Sequence, residues 1–224
     1  MRYEGEVVTS SGRAAQDVRK WPADAAAKVA LVAYFETIEF EVRDKFAQTA
    51  FGGQGLDFRG ADLSGIDFHG ADFSEANLTG VQFVGADLYR AWMMSAEFSD
   101  ADFTDCDFRK VQALACHGRG AVFRNARLDS SEIDEADLRV ADFRGANFGG
   151  CNLFGSDLRG ADLRGCIFGA AGLGDARLGN CRLAGASGLI FGPVDVGIDE
   201  PHVLSGDELR RWFVEQGAAD IKVQ

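Results

Sequence analysis

Residues 56–80 read LDFRG ADLSG IDFHG ADFSE ANLTG, and the same five-residue unit runs on to CRLAG at 181–185 without gaining or losing a residue. That makes 26 units in one register. With positions numbered i−2 to i+2, the centre i is Leu or Phe, as at Phe58, Leu63, Phe68 and Phe73. Position i−2 is small, as at Ala61, Ala71, Cys106 and Ser156, and i+2 is often Gly. A period of five fits neither the 3.6 of a helix nor the 2 of a half-buried strand. Each unit therefore buries one large and one small side chain and then turns. Units this short close no core alone, so they must stack as coils of a solenoid.

The pattern A-[DN]-[LF]-x-x resembles the pentapeptide repeat family. The resemblance implies an all-β solenoid, a right-handed quadrilateral β-helix with four units and twenty residues per coil. At a strand spacing of ~4.8 Å, six and a half coils make a rod of roughly 30 Å. Three segments are expected. Residues 1–50 form an N-terminal extension or cap that is partly helical; residues 51–190 form the β-helix; residues 191–224 hold a connector and a C-terminal dimerisation helix.

Lys and Arg number 23 and Asp and Glu 35, a formal net charge of −12. Within residues 51–190 there are 13 basic and 20 acidic side chains. Direct nucleic-acid binding requires clustered cations and is not expected; an acidic surface points to basic partners or to solubility. The longest apolar stretch, Ala25–Phe35, is interrupted by Lys28 and is far shorter than the ~20 residues of a membrane span, so no membrane association and a cytoplasmic location are expected. All five cysteines, Cys106, Cys116, Cys151, Cys166 and Cys181, occupy i−2. They read as small inward hydrophobes, not as disulfide partners or metal ligands.

At the N-terminal side, a short strand is conceivable at Gly5–Val8. Pro22 and Asp24 suit a helix start. Leu31, Phe35, Ile38, Val42 and Phe46 recur at helical spacing; the competing reading is an early coil, from Phe35, Phe40, Phe46 and Phe51. Either would cover the solenoid's open end.

Two places in the repeat are irregular. Unit 91–95 (AWMMS) puts Trp92 outside and Met93 at the centre. Units 111–120 (VQALA CHGRG) put Ala113 and Gly118 where a large residue belongs, which should thin or bend the rod. Trp92, Met94, His117 and Arg119 form a candidate contact patch; local repacking is the plainer reading. Position i−1, taken every twenty residues, gives Asp57, Asn77, Glu97, His117, Asp137, Asp157 on one face. The next face gives Asp62, Gln82, Asp102, Val122, Asp142, Asp162. Stacked like charges destabilise a sheet, so these columns are candidate partner-binding surfaces. Asp at i−1 also belongs to the repeat pattern, and Arg139, Arg144, Arg159 and Arg164 offset part of the charge.

The repeats end at 186–191 (ASGLIF). A helix is expected at about Ser205–Gln216, with Ser205 and Glu208 at capping-box spacing and Gly217 as its stop. Leu209, Trp212 and Phe213 line one apolar stripe, which needs either the last coil or a second subunit; a two-fold contact would bury both copies.

No enzyme motif is present: no G-x-S-x-G, P-loop or G-x-G-x-x-G. Cys116 and His117 point in and out respectively and form no nucleophile–base pair. No catalytic residue, metal or cofactor is expected. The layout is most similar to the gyrase-interacting quinolone-resistance members of the family, the Qnr and MfpA type. That resemblance implies an acidic homodimer joined through its C-terminal helix, which mimics DNA and binds DNA gyrase or topoisomerase IV. Protection of the enzyme from fluoroquinolones or a natural gyrase poison would follow. Glu97, Asp102, Asp137 and Asp142, with Asp57, Asp62, Asp157 and Asp162, would make the contact, and Leu209, Trp212 and Phe213 the dimer. The alternative is a non-catalytic scaffold for an unrelated protein, bound at the Trp92 patch.

Overall fold

The computed structural model describes residues 14–41 and 50–224. Parallel bridges link residues twenty apart from Gly52↔Asp72 to Asp162↔Arg182, so each coil holds four units and the coils build four ladders. Among the described residues the chain is a β-helix solenoid, as the period of five requires. The hydrogen bonds of one unit explain the repeat. Phe58 N–H donates to Asn77 O and Gly60 N–H to Thr79 O on the next coil, while Ala61 N–H turns back to Phe58 O. Asn77 N–H donates to Leu56 O on the preceding coil. The remaining donor, Arg59 N–H, is taken by the Asp57 carboxylate at 3.1 Å. Every backbone N–H of a unit thus finds a partner, as a buried-core solenoid requires. The acid or amide at i−1 is the piece that completes the set.

Position i+2 takes the left-handed conformation in unit after unit, at Gly60 (φ 64) as at Val140 (φ 54). This corner is why Gly recurs there. The interior is a column of aromatic rings. Phe83, Phe103, Phe123 and Phe143 stack one coil apart with centroids 5.3, 4.7 and 4.9 Å from each other and planes within 10°. Offset ring stacking adds to their burial. The five cysteines are buried among them as expected, and the Cys166 thiol sits 2.9 Å from Phe143 O. Burial pushes the Cys166 and Cys181 thiols up to about 12, which keeps them protonated and unreactive.

Two irregular units pack by exchange of ring positions. In unit 51–55, which joins the ladder one unit before Leu56, Phe51 occupies the small position and Gly53 the centre. A Cβ on Gly53 would fall 2.5 Å from Phe51 Cε1. At Gly118 the missing centre is filled from the coil below, where Phe98 Cε2 lies 2.1 Å from an added Cβ. The ladder continues unbroken there through Trp92↔Gln112↔Glu132 and Glu97↔His117↔Asp137. At Gly118 the expected thinning is therefore met by Phe98, and no coil is lost.

Helix α1 spans Ala25–Glu41, and Asp24 accepts the Ala27 N–H at its start. Leu31, Phe35 and Ile38 are buried, with Tyr34 lying 5.3 Å from Phe51 and 6.1 Å from Phe68. The first coil is closed by Lys20, which pairs antiparallel with Asp62 where a preceding coil would lie. Gly5–Val8, Val42 and Phe46 lie outside the described residues.

At the other end, β1 (Ile167–Gly172), β3 (Ser187–Phe191) and β6 (Asp220–Val223) form a parallel sheet in that order. A second sheet orders β2 (Ala176–Arg177), β4 (Val194–Asp195) and β5 (Val203–Leu204). Asp195 pins the connector by accepting the Gly197 and His202 N–H groups. Helix α2 spans Gly206–Glu215 and ends at Gly217 with φ 79. Ser205 occupies the N-cap with extended backbone, but its side chain makes no cap hydrogen bond, so the capping box is not formed. Leu209 and Phe213 are fully buried and join the core of the last coils with Ala218 and Ile221. Gly185 N–H donates to Gly217 O, tying the helix end to the last repeat.

Candidate functional site

The outward side chains sort into four faces, each set by one ladder. On the Asp57 face the acids are paired with arginine. Asp57, Asp137 and Asp157 bind Arg59, Arg139 and Arg159 through two-pronged contacts, and Arg177 reaches Asp157 from the next coil. On the Asp62 face Asp142 binds Arg144 and Arg124, while Asp162 binds Arg164 and Arg182. Burial raises the Asp142 carboxyl, but hydrogen bonds from Arg144 and Arg124 outweigh it and hold it at about 2. The hydrogen bond from Arg139 likewise lowers Asp137, and that from Arg164 lowers Asp162. Each of these aspartates also accepts the N–H of the residue two ahead, as do Asp62 (from Ser64), Glu97 (from Ser99) and Asp102 (from Thr104).

Arginine thus offsets most of the acid in the two columns read from the sequence. The Asp57 face balances five acids against five arginines, and the Asp62 face five acids against four. The Asp67 face balances four acids against four bases. On these faces, Glu97, Asp100, Asp102 and Asp105 stand without a cation within ion-pair distance among the described residues.

The fourth face carries nearly all of the solenoid's net charge. Its ladder runs Asp72, Trp92, Gln112, Glu132, Asn152, Gly172. Its outward positions hold Asp72, Glu75, Glu132, Asp134, Glu135 and Asp175, with no Lys or Arg. Partial burial raises the Asp134 carboxyl, helped by the charges of Glu132 and Glu135. The same face exposes large apolar side chains: Trp92 (47%), Met94 (38%), Leu114 (46%) and Phe154 (48%). Phe154 is fixed by its N–H, which donates to Asp134 Oδ1 at 2.8 Å, and its ring lies over Gly174.

The four-residue patch read from the sequence is thus divided. Trp92 and Met94 lie on this face, but His117 and Arg119 belong to the Asp57 ladder around the corner, where Arg119 borders a groove with Arg139, Arg159 and Ile198. Leu114 and Phe154 take their place. Both were findable by reading i+1 as well as i−1 along each twenty-residue column. The C-terminal stripe is corrected as well: Leu209 and Phe213 are spent inside the chain, and Trp212 is partly buried against the core. What α2 leaves outside is Val214, beside Asp207, Arg210 and Arg211.

No curated protein sequence matches the chain. Among solved structures, a trypsin-treated form of QnrB1, a plasmid-mediated fluoroquinolone resistance protein, superposes with a TM-score of 0.62 at 21% identity. The match covers 81% of this chain and 86% of that one. HetL, a pentapeptide repeat protein involved in heterocyst differentiation regulation in the cyanobacterium Nostoc sp. strain PCC 7120, gives a TM-score of 0.32 at 20% identity, covering 70% and 84%. The first likeness establishes a shared fold. The profile described as pentapeptide repeats matches eight copies in overlapping segments that run from 54–88 to 131–169. With half of its length matched by that profile and every matched unit built into the ladder, the chain belongs to the pentapeptide repeat family.

Proposed function

We propose that the chain is a non-catalytic protein-binding rod whose partner is a type II topoisomerase, DNA gyrase or topoisomerase IV, which it shields from an inhibitor. The observation that carries the protein-binding reading is the sorting of charge. Three faces are neutral or nearly so, and the fourth holds six carboxylates and no cation. A one-sided acidic surface selects a basic partner and speeds its encounter. The topoisomerase is named by the family resemblance and by the fluoroquinolone resistance of QnrB1, which shares the fold. In this reading the mimicry of DNA is confined to one side of the rod, since arginines balance or nearly balance the acids of the Asp57 and Asp62 faces in number. The right-handed winding of the family and a cytoplasmic location belong to the same reading. So does a homodimer through the C-terminal end, which would rest on the outer side of α2 around Val214.

The test is a DNA gyrase supercoiling assay titrated with the protein, with and without a fluoroquinolone. Recovery of supercoiling in the drug's presence, or inhibition in its absence, is the expected result. The second reading, a scaffold for an unrelated protein, is favoured by the adjoining exposed side chains Trp92, Met94 and Leu114. No effect in either arm of the assay would select it.

A further inference from the structure

We infer that the Trp92 face receives a cationic amphipathic helix of the partner, laid along the rod axis. This rests on the protein-binding reading above and is independent of which protein the partner is. Where an aspartate stands at i−1 in the repeat, its side chain accepts the N–H of residue i+1, as Asp72 does for Ser74. Trp92 stands at that position with an indole that has no acceptor, so the turn gains nothing from it. Its large apolar surface continues into Met94 on the same coil and Leu114 on the next. Exposed apolar side chains gathered on one face mark a binding surface, and Trp is enriched at binding hot spots.

The charge fixes the sign of the occupant. Glu132 and Glu135 are exposed one coil beyond Leu114, with Asp134 between them and no cation on the face. Nucleic acid and anionic lipid surfaces are repelled by such a surface. The backbone fixes the form of the contact. Trp92 N–H is bound to Ala71 O and Met93 N–H to Gln112 O, and the ladder continues on both sides. At Trp92 both sides of the ladder are already paired, so an occupant of this patch docks by side chains, as a helix does.

Spacing sets the length. Phe154 lies three coils from Met94, about 14 Å at ~4.8 Å per coil. A helix covers that in roughly ten residues at ~1.5 Å each. Its apolar side chains would meet Trp92 and Leu114 at one end and Phe154 at the other, with Lys or Arg over Glu132 and Glu135 between.

The probe is a fluorescein-labelled 18-residue Leu/Lys peptide with its leucines on one helical face, compared with a scrambled peptide of the same composition. Binding to the full chain is read by fluorescence anisotropy. The amphipathic peptide should bind at least tenfold more tightly than the scramble. Two variants, Trp92→Ser with Leu114→Ser and Glu132→Gln with Glu135→Gln, should each weaken it at least fivefold. Asp100→Asn, on the Asp57 face, should leave it unchanged. All three replace solvent-facing side chains, and an unaltered melting temperature confirms the fold. Equal affinity for the two peptides, or affinity insensitive to both double variants, overturns the inference. Peptide binding that survives while the supercoiling assay shows no effect would remove the topoisomerase and leave the face in place.

Discussion

Arg124 Nε lies 2.7 Å from Asp142 Oδ2 across the coil boundary, and Arg144 holds the same carboxylate from its own unit. Two guanidinium groups on one aspartate turn a column that is acidic in sequence into a neutral, cross-linked wall. The contact also makes the rod sensitive to acid. Asp137, Asp142, Asp157 and Asp162 all have carboxyl groups held below the ordinary value, so the folded state binds protons more weakly than the unfolded chain. Their contribution is present above the unfolded value of about 3.9 and is lost as pH falls toward about 2. The melting temperature followed by circular dichroism should therefore fall steeply between about pH 4 and pH 2. In Asp142→Asn the fall should be shallower, with about 1 kcal/mol less stability at neutral pH.

Asp102 separates the structural role of position i−1 from a role in binding. Its Oδ1 accepts the Thr104 N–H at 2.9 Å, and no cation offsets its charge. Asp102→Asn keeps an acceptor in place and should alter stability by less than about 0.5 kcal/mol. Asp102→Ala removes it and should cost about 1 kcal/mol, measured by urea unfolding. Equal stability of the two variants would show that the i−1 side chain is not what completes the unit.

Gly118 is the opposite case, a position where sequence invites filling and structure forbids it. An added Cβ would meet Phe98 Cε2 at 2.1 Å and Leu138 Cδ2 at 3.1 Å. Gly118→Ala should thus destabilise by about 1–3 kcal/mol, although Ala is the better core residue by composition. Gly118→Leu, which restores the repeat pattern, should be worse. A stabilised Gly118→Leu in the same unfolding measurement would mean that the Phe98 ring does not occupy that space.

The architecture was legible because its signal is periodic. A register held without insertion from Leu56 to Gly185 dictates stacking, and i−2 burial of Cys106 to Cys181 follows from the same count. What escaped depends on relations between units. Phe51 and Gly53 exchange their large and small roles, which a consensus does not reveal. Leu209 and Phe213 show an apolar stripe in sequence, but only the fold shows that the last coil consumes it. The contact surface escaped for a related reason. The sequence shows Arg139 and Arg159 two residues beyond Asp137 and Asp157, but two of the four columns do not give the charge balance of the rod, and the two-pronged contacts that tie each pair are a matter of geometry. Reading i−1, i+1 and i+2 together along each column leaves the surplus on the side of Trp92, Glu132 and Asp134.

The central claim is that this one side carries the interaction, and that a type II topoisomerase is what it meets. The direct measurement is fluoroquinolone-inhibited DNA gyrase supercoiling, with wild type, Glu132→Lys with Glu135→Lys, and Asp102→Asn compared at equal concentration. Wild type and Asp102→Asn should restore supercoiling alike, and the double reversal should lose at least tenfold in potency while keeping its melting temperature. No rescue by wild type, or a double reversal as potent as wild type, would contradict the account.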